Sequence, residues 1–238
     1  GLNNAGQVGD GTTINKSSPV QIGTSSWTTV DVGLSTTAAI RSDSTLWAWG
    51  LNNAGQVGDG TTINKSSPVQ IGTSSWTAVD SGGHVVAIRA DGTLWAWGNN
   101  VAGQLGDGTT INKSSPVQIG TSSWTFVSAG ASHTMAVRSD STVWAWGYNA
   151  YGQLGDGTAV NKSSPVQVVG SWTAIRAGSI AAYGIKTNGT LWAWGYGSFG
   201  RLGDGTTINK SSPVQIGTSS WIALGAVSYT HLRAHETL

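Results

Sequence analysis

The chain has no cysteine, so it neither uses disulfides nor offers a thiol nucleophile, and its redox compartment stays open. Charged residues are only 10% of its 238 residues, against roughly 25% in an average domain, and Glu236 is the single glutamate. With a formal net charge of +1 there is no field to draw nucleic acid or an anionic membrane, so neither is expected as a partner. No apolar run reaches the roughly eighteen residues of a spanning helix, so no membrane insertion is expected. No glutamate occurs before the C-terminal stretch, and the one His-x-x-x-His spacing, His231 with His235, falls in that same stretch and outside the repeats. The expectation is therefore no catalytic residue, no metal ligand and no cofactor: a chain that is not an enzyme.

What remains is glycine (35 residues), tryptophan (13) and many serines, threonines and asparagines, a composition of strands and turns. It is arranged as repeats. The segment GDGTTINKSSPVQIGTSSW begins identically at Gly9, Gly58, Gly106 and Gly203, and a drifted copy begins at Gly155. The period is 48 or 49 residues, so residues 1–225 read as one array in which each unit buries its apolar surface against its neighbours.

Both ends fall inside a unit. Gly1 opens on GLNNAGQVGDG, which recurs at Gly50, so a targeting segment cannot be read from the N-terminus. After Trp221 the expected pattern gives way to IALGAVSYTHLRAHETL, which holds Glu236 and two of the four histidines, His231 and His235. Residues 226–238 read as a non-native tail, foreign to the array, that makes few ordered contacts with it.

Within the unit from Trp76 to Gly120, Val85–Arg89 is a short apolar strand, Ala90-Asp91-Gly92 a turn, and Thr93–Gly98 the returning strand. Asp-Gly between two such runs is a strong hairpin signal. Ser115–Ile119 supplies a further strand, with Pro116 near its start, and Trp124–Val127 another. Four short antiparallel strands of four to six residues per unit, with no helical period, make the blade of a β-propeller; the fold class is all-β.

Each unit thus shows WAWG, a glycine loop ending in GDGT, SPVQ[IV], and Trp-[Thr/Ile]-x-[Val/Ile/Leu]; some add Ala-Gly-x-x-His-Thr. This resembles the repeat of the regulator of chromosome condensation family, in its bacterial and phage form, over residues 1 to about 225. The resemblance implies a propeller, usually of seven blades. Four WAWG segments and five GDGT loops make about 4.6 units here, which implies an open or incomplete ring that self-associates through its end blades if it does not stay an arc. The resemblance also implies binding: one bacterial member inhibits β-lactamase, and the eukaryotic founder is a nucleotide-exchange factor for the GTPase Ran that binds chromatin.

Among tempting motifs, the glycine loop lacks the lysine and helix of a phosphate loop and reads as structural. Asp10, Asp59, Asp107, Asp156 and Asp204 stand alone among glycine and threonine, too sparse for calcium. The WAWG tryptophans read as core. His84 and His133 share one repeat position with Thr36 and Ala181, which argues for locally satisfied packing. Asn15, Asn64, Asn112, Asn161 and Asn209 begin identical Asn-Lys-Ser loops, so this polar side is constant.

The drift lies just after WAWG. It nominates Asn99, Asn100, Tyr148, Tyr151, Tyr196 and Phe199 as binding-loop residues, with Trp76 and Trp124 beside a Thr-Ser-Ser loop. The reading is a non-enzymatic module that presents repeated loops to a protein or glycan outside the cell, on a cell surface or on a virion. A structural spacer is the alternative, and exchange-factor activity fits poorly with blades this uniform.

Overall fold

The computed structural model describes residues 1–226 and the strand at 232–236. It divides into two compact units, Gly1–Val101 with Ile111–Val127, and Ala102–Thr110 with Ser128–Leu238.

In the first unit, β1 (Trp27–Val32), β2 (Thr36–Arg41), β3 (Leu46–Gly50) and β4 (Lys65–Gln70) form an antiparallel sheet in chain order. A second blade follows from β5 (Trp76–Ser81), β6 (His84–Arg89), β7 (Thr93–Gly98) and the first part of β8 (Lys113–Ala129). The second unit holds β9 (His133–Arg138), β10 (Val143–Gly147) and β11 (Lys162–Val168), then β12 (Trp172–Ala177), β13 (Ala181–Lys186), β14 (Thr190–Gly195), β15 (Lys210–Ala226) and β16 (Leu232–Glu236). All four WAWG segments lie in strands, in β3, β7, β10 and β14, and every GDGT lies in a loop. Among the described residues the only helix is the single 3-10 turn Ser198–Gly200.

The hairpin turns form as the Asp-Gly signal predicts. Gly92 N–H donates to the Arg89 carbonyl at 2.9 Å, and the Asp91 carboxylate accepts from Thr93 N–H and Oγ1. Where serine replaces that glycine, Ser44 and Ser141 still adopt φ of 66° and 65°. The turn dictates the conformation and the residue follows.

Two expectations of length and order change. β8 and β15 run to 17 residues, because the Ile-Gly-Thr-Ser-Ser link between two strands stays in the ladder: Ser123 pairs with Thr93 and Ser220 with Thr190. The tail was expected to make few ordered contacts, yet Leu232–Glu236 pairs antiparallel with Trp221–Ala226. That stretch repeats β12, which is itself paired with β13, so an extended segment at its edge satisfies backbone groups left open there. Residues 227–231 and 237–238 lie outside the described residues.

Each blade's middle strand is buried along most of its length; in β2, Thr36 to Ile40 are all buried. Both faces of such a strand are covered, which explains its continuous small-apolar run. The covering comes partly from loops. Trp97 Nε1 of β7 donates 3.0 Å to the carbonyl of Gln56, in the glycine loop of the preceding repeat. Trp49 does the same to Gln7, Trp146 to Gln104 and Trp194 to Gln153. Gly58 must be glycine for this: its φ is +85°, and a Cβ there would lie 2.5 Å from Trp97 Nε1.

Candidate functional site

Four of the five glycine loops are built around one asparagine each, and the last has Gly197 in its place. Asn52 is fully buried, and its Nδ2 donates to Asp59 Oδ1 and to the carbonyls of Thr61 and Ile63 at 3.0–3.2 Å. Its Oδ1 accepts from Val57 N–H at 2.8 Å, and its own N–H donates to Asn64 Oδ1. Asn3 and Asn149 repeat the pattern. The constant Asn-Lys-Ser side and the drifting side are therefore two walls of one loop assembly, tied through this amide.

The aspartates belong to the same fastening. Asp59 accepts from Thr61 N–H and Oγ1 and pairs with Lys65 at 2.9 Å. Burial pushes this carboxyl up, but the Lys65 and Thr61 hydrogen bonds outweigh it and hold the group below the usual carboxylate range. Its oxygens are engaged within the loop.

The nominated residues separate into two groups. Asn100 is fully buried and its amide bonds Ile111 O, as the hub asparagine does elsewhere, so it does not face a ligand. Asn99 is half-buried, with Oδ1 closing the turn onto Val101 N–H at 3.1 Å. Trp76 and Trp124 are 2% and 3% exposed. Trp76 packs against Trp97 at 6.1 Å under the Arg89 guanidinium, which also lies 3.6 Å over Trp95. The Thr-Ser-Ser loop leaves Trp76 inside, where Trp97 and the Arg89 guanidinium of the neighbouring strand cover it.

The other four lie on two successive loops of the second unit, where the three tyrosines touch. Tyr148 and Tyr151 meet edge to face at 5.9 Å, and Tyr151 reaches across to Tyr196 of the next loop at 4.6 Å. Burial, and then the neighbouring Tyr151, raises the Tyr148 phenol above its ordinary value. Phe199 is 89% exposed at φ 62°, a conformation that costs a bulky residue about 1–3 kcal/mol. Arg201, which composition and drift did not single out, lies 4.6 Å over the Tyr196 ring. Aligning the copies would have found it, since it stands where the others have Gln7, Gln56, Gln104 and Gln153. Also missed was an apolar tip on each loop: Ile14, Ile63, Ile111, Val160 and Ile208 are 62–68% exposed. Their carbonyls, where the hub asparagine is present, are its acceptors, so these tips stand beside the drifting residues.

His133 departs from the expected satisfied packing. It is fully buried, neither ring nitrogen has a hydrogen-bond partner, and Gly130 is so close that a Cβ there would sit 2.4 Å from Cε1. Burial pushes its pKa from 6.5 down to about 4. The fold therefore favours the neutral ring, and this contribution is intact above pH 6.5 and is lost as the pH falls toward 4. Between pH 8 and pH 5 the loss should reach about 2 kcal/mol. Urea unfolding across that range measures it, and His133→Thr, with the residue of the sibling position Thr36, should flatten the profile. An unchanged profile in the variant would show that His133 is protonated without penalty.

Antiparallel four-stranded blades at a 48–49-residue period, locked by tryptophan-to-loop hydrogen bonds, define a β-propeller repeat protein. The family model for the regulator of chromosome condensation (RCC1) repeat matches residues 43–88, 91–137, 140–179 and 188–232, and a second model of the same description matches 27–56 and 124–153. The chain belongs to the RCC1 repeat family. No curated protein matches its sequence. Among solved structures it is similar to human WBSCR16, with a TM-score of 0.86 at 20% identity over 98% of this chain and 65% of that one. It is also similar to Prp20p of Saccharomyces cerevisiae (TM-score 0.76, 19% identity, 87% and 55% covered), a structure described with its binding to Gsp1p and histones. The ectodomain of the receptor kinase CR4 from Physcomitrella patens aligns with a TM-score of 0.56 at 18% identity, 90% and 54% covered. The chain thus spans 65% or less of the length of these solved chains.

Proposed function

We propose that this chain is a non-enzymatic protein-binding module, and that its contact surface is formed by Tyr148, Tyr151, Tyr196 and Phe199. The observation that carries this is the run of three touching tyrosine rings across two successive loops, with an almost fully exposed phenylalanine three residues beyond the last of them. Sibling loops place alanine where Tyr151 and Phe199 stand, at Ala5, Ala54 and Ala102, and those loops keep the same backbone turns. The scaffold does not require these rings. Rigid aromatic side chains presented among serine, glycine and asparagine suit protein recognition, because they supply contact area at low entropic cost. The binding described for Prp20p supports a reading of this kind, and a spacer would have no use for an exposed ring in a strained conformation.

A random-sequence peptide library displayed on phage tests the reading. The chain should enrich binding clones, and the double variant Tyr151→Ala with Phe199→Ala should lose them by at least about tenfold in affinity. Both substitutions restore residues that sibling loops already carry, so the variant should fold. Undiminished binding would place the contact surface elsewhere. Retention of immobilised oligosaccharides, with no peptide enriched, would make the surface a glycan site and overturn the protein reading.

A further inference from the structure

Resting on that reading, we infer that the segment bound at this surface presents a carboxylate beside an apolar side chain, and that Arg201 recognises the carboxylate. In four other loops a glutamine at this position accepts a hydrogen bond from the N–H two residues earlier, as Gln153 Oε1 does from Tyr151 at 3.0 Å. The last loop gives up that bond. Arg201 Nε instead donates to the Ser198 carbonyl at 3.1 Å and the guanidinium lies over Tyr196. The side chain is only half-buried, so its terminal nitrogens remain available to a partner.

The local charges point to what that partner carries. Asp156 is engaged by Asn149, Thr158 and, at 3.7 Å, Lys162. Asp204 is engaged by Thr206 and, at 3.1 Å, Lys210. Each acid of these loops has its own lysine, and among the described residues no carboxylate lies within ion-pair distance of Arg201. It is the unmatched cation of the surface. A guanidinium positioned over a ring presents a planar pair of donors that fits a carboxylate bidentately. Two residues away, Phe199 projects into solvent and Tyr151 and Tyr196 offer apolar faces, so the complementary segment pairs an acidic group with an aliphatic or aromatic one.

The composition of the enriched peptides is the first readout. Aspartate or glutamate next to leucine, phenylalanine or tryptophan should be enriched several-fold over the unselected library. Arg201→Gln restores the glutamine that organises four sibling loops, so it should fold, and it should bind the leading acidic peptide about tenfold more weakly. The same peptide with its acid changed to the amide should bind Arg201→Gln and the unaltered chain alike. Peptides without acid, indifferent to Arg201→Gln but lost with Tyr151→Ala and Phe199→Ala, would overturn the acidic partner and leave the binding surface standing. Peptides indifferent to all three substitutions, or no enrichment at all, would remove both. Arg201-dependent binding of single-stranded oligothymidine at equal strength would assign the cation to phosphate and overturn the peptide class.

Discussion

Replacing Trp97 by alanine should cost about 3–5 kcal/mol of stability, measured by urea unfolding and followed by circular dichroism. The ring has no solvent exposure and touches Trp76 at 6.1 Å. Its Nε1–H is the donor that holds the Gln56 carbonyl, so truncation opens a large cavity and also frees a buried acceptor. Gly58 is moulded to this ring: the three atoms nearest a Cβ there, at 2.5–3.0 Å, all belong to Trp97. Because a repeat contacts mainly its neighbours, the loss should register first in the preceding glycine loop, as lost amide protection around Gln56 and Val57. Trp95→Ala is the control. That ring is half-buried, donates to Thr93 Oγ1 of its own strand and lies under Arg89, so its loss should cost about 1–2 kcal/mol. Equal effects at the two positions would show that the contact between repeats contributes nothing special.

That contrast marks the limit of what periodicity shows. Spacing two along a strand places Trp95 and Trp97 on one face, and the structure keeps them there. What separates them is what lies above: the loop of the preceding repeat over Trp97, and a cation from the adjacent strand over Trp95. Both partners are fixed by tertiary packing and carry no signal in the strand itself. The hairpins were legible, since Asp-Gly chemistry is local, and so were the strand positions of WAWG. The merging of two strands through Ile-Gly-Thr-Ser-Ser was not, because it depends on Ser123 finding Thr93.

The candidate surface was legible in part. Drift between copies singled out Tyr148, Tyr151, Tyr196 and Phe199, which all lie in the second unit with the three tyrosines in contact. It also found Asn100, and there it misled: the segment drifts, but this asparagine recurs as Asn3, Asn52 and Asn149, and constancy inside a drifting segment marks a fastening. Arg201 went unnoticed for the converse reason. It lies inside the glycine motif, which reads as constant until the copies are compared position by position.

Asn52→Ala should lower stability by about 3 kcal/mol, although it removes only a short polar side chain. The substitution strands the Val57 N–H, whose residue is fully buried, and removes the donors that satisfy the Thr61 and Ile63 carbonyls and Asp59 Oδ1. A buried polar group left without a partner costs about 1–3 kcal/mol, and here several lose theirs together. The last repeat shows why alanine cannot be rescued by relaxation. Gly197 occupies the hub position there, and the chain has closed in on Ile208 until a Cβ would lie 2.1 Å from its carbonyl oxygen. Glycine permits that closure; alanine keeps the Cβ that blocks it and has none of the amide's hydrogen bonds. Asn52→Asp should do no better at pH 7, since it retains the acceptor for Val57 but sets a second carboxylate at the 3.2 Å contact with Asp59. Hydrogen exchange at Val57 N–H is the direct readout, with protection lost in both variants. A stability loss below about 1 kcal/mol with Val57 still protected would show that water replaces the amide, and that the loop is held by its glycine turns rather than by its hub.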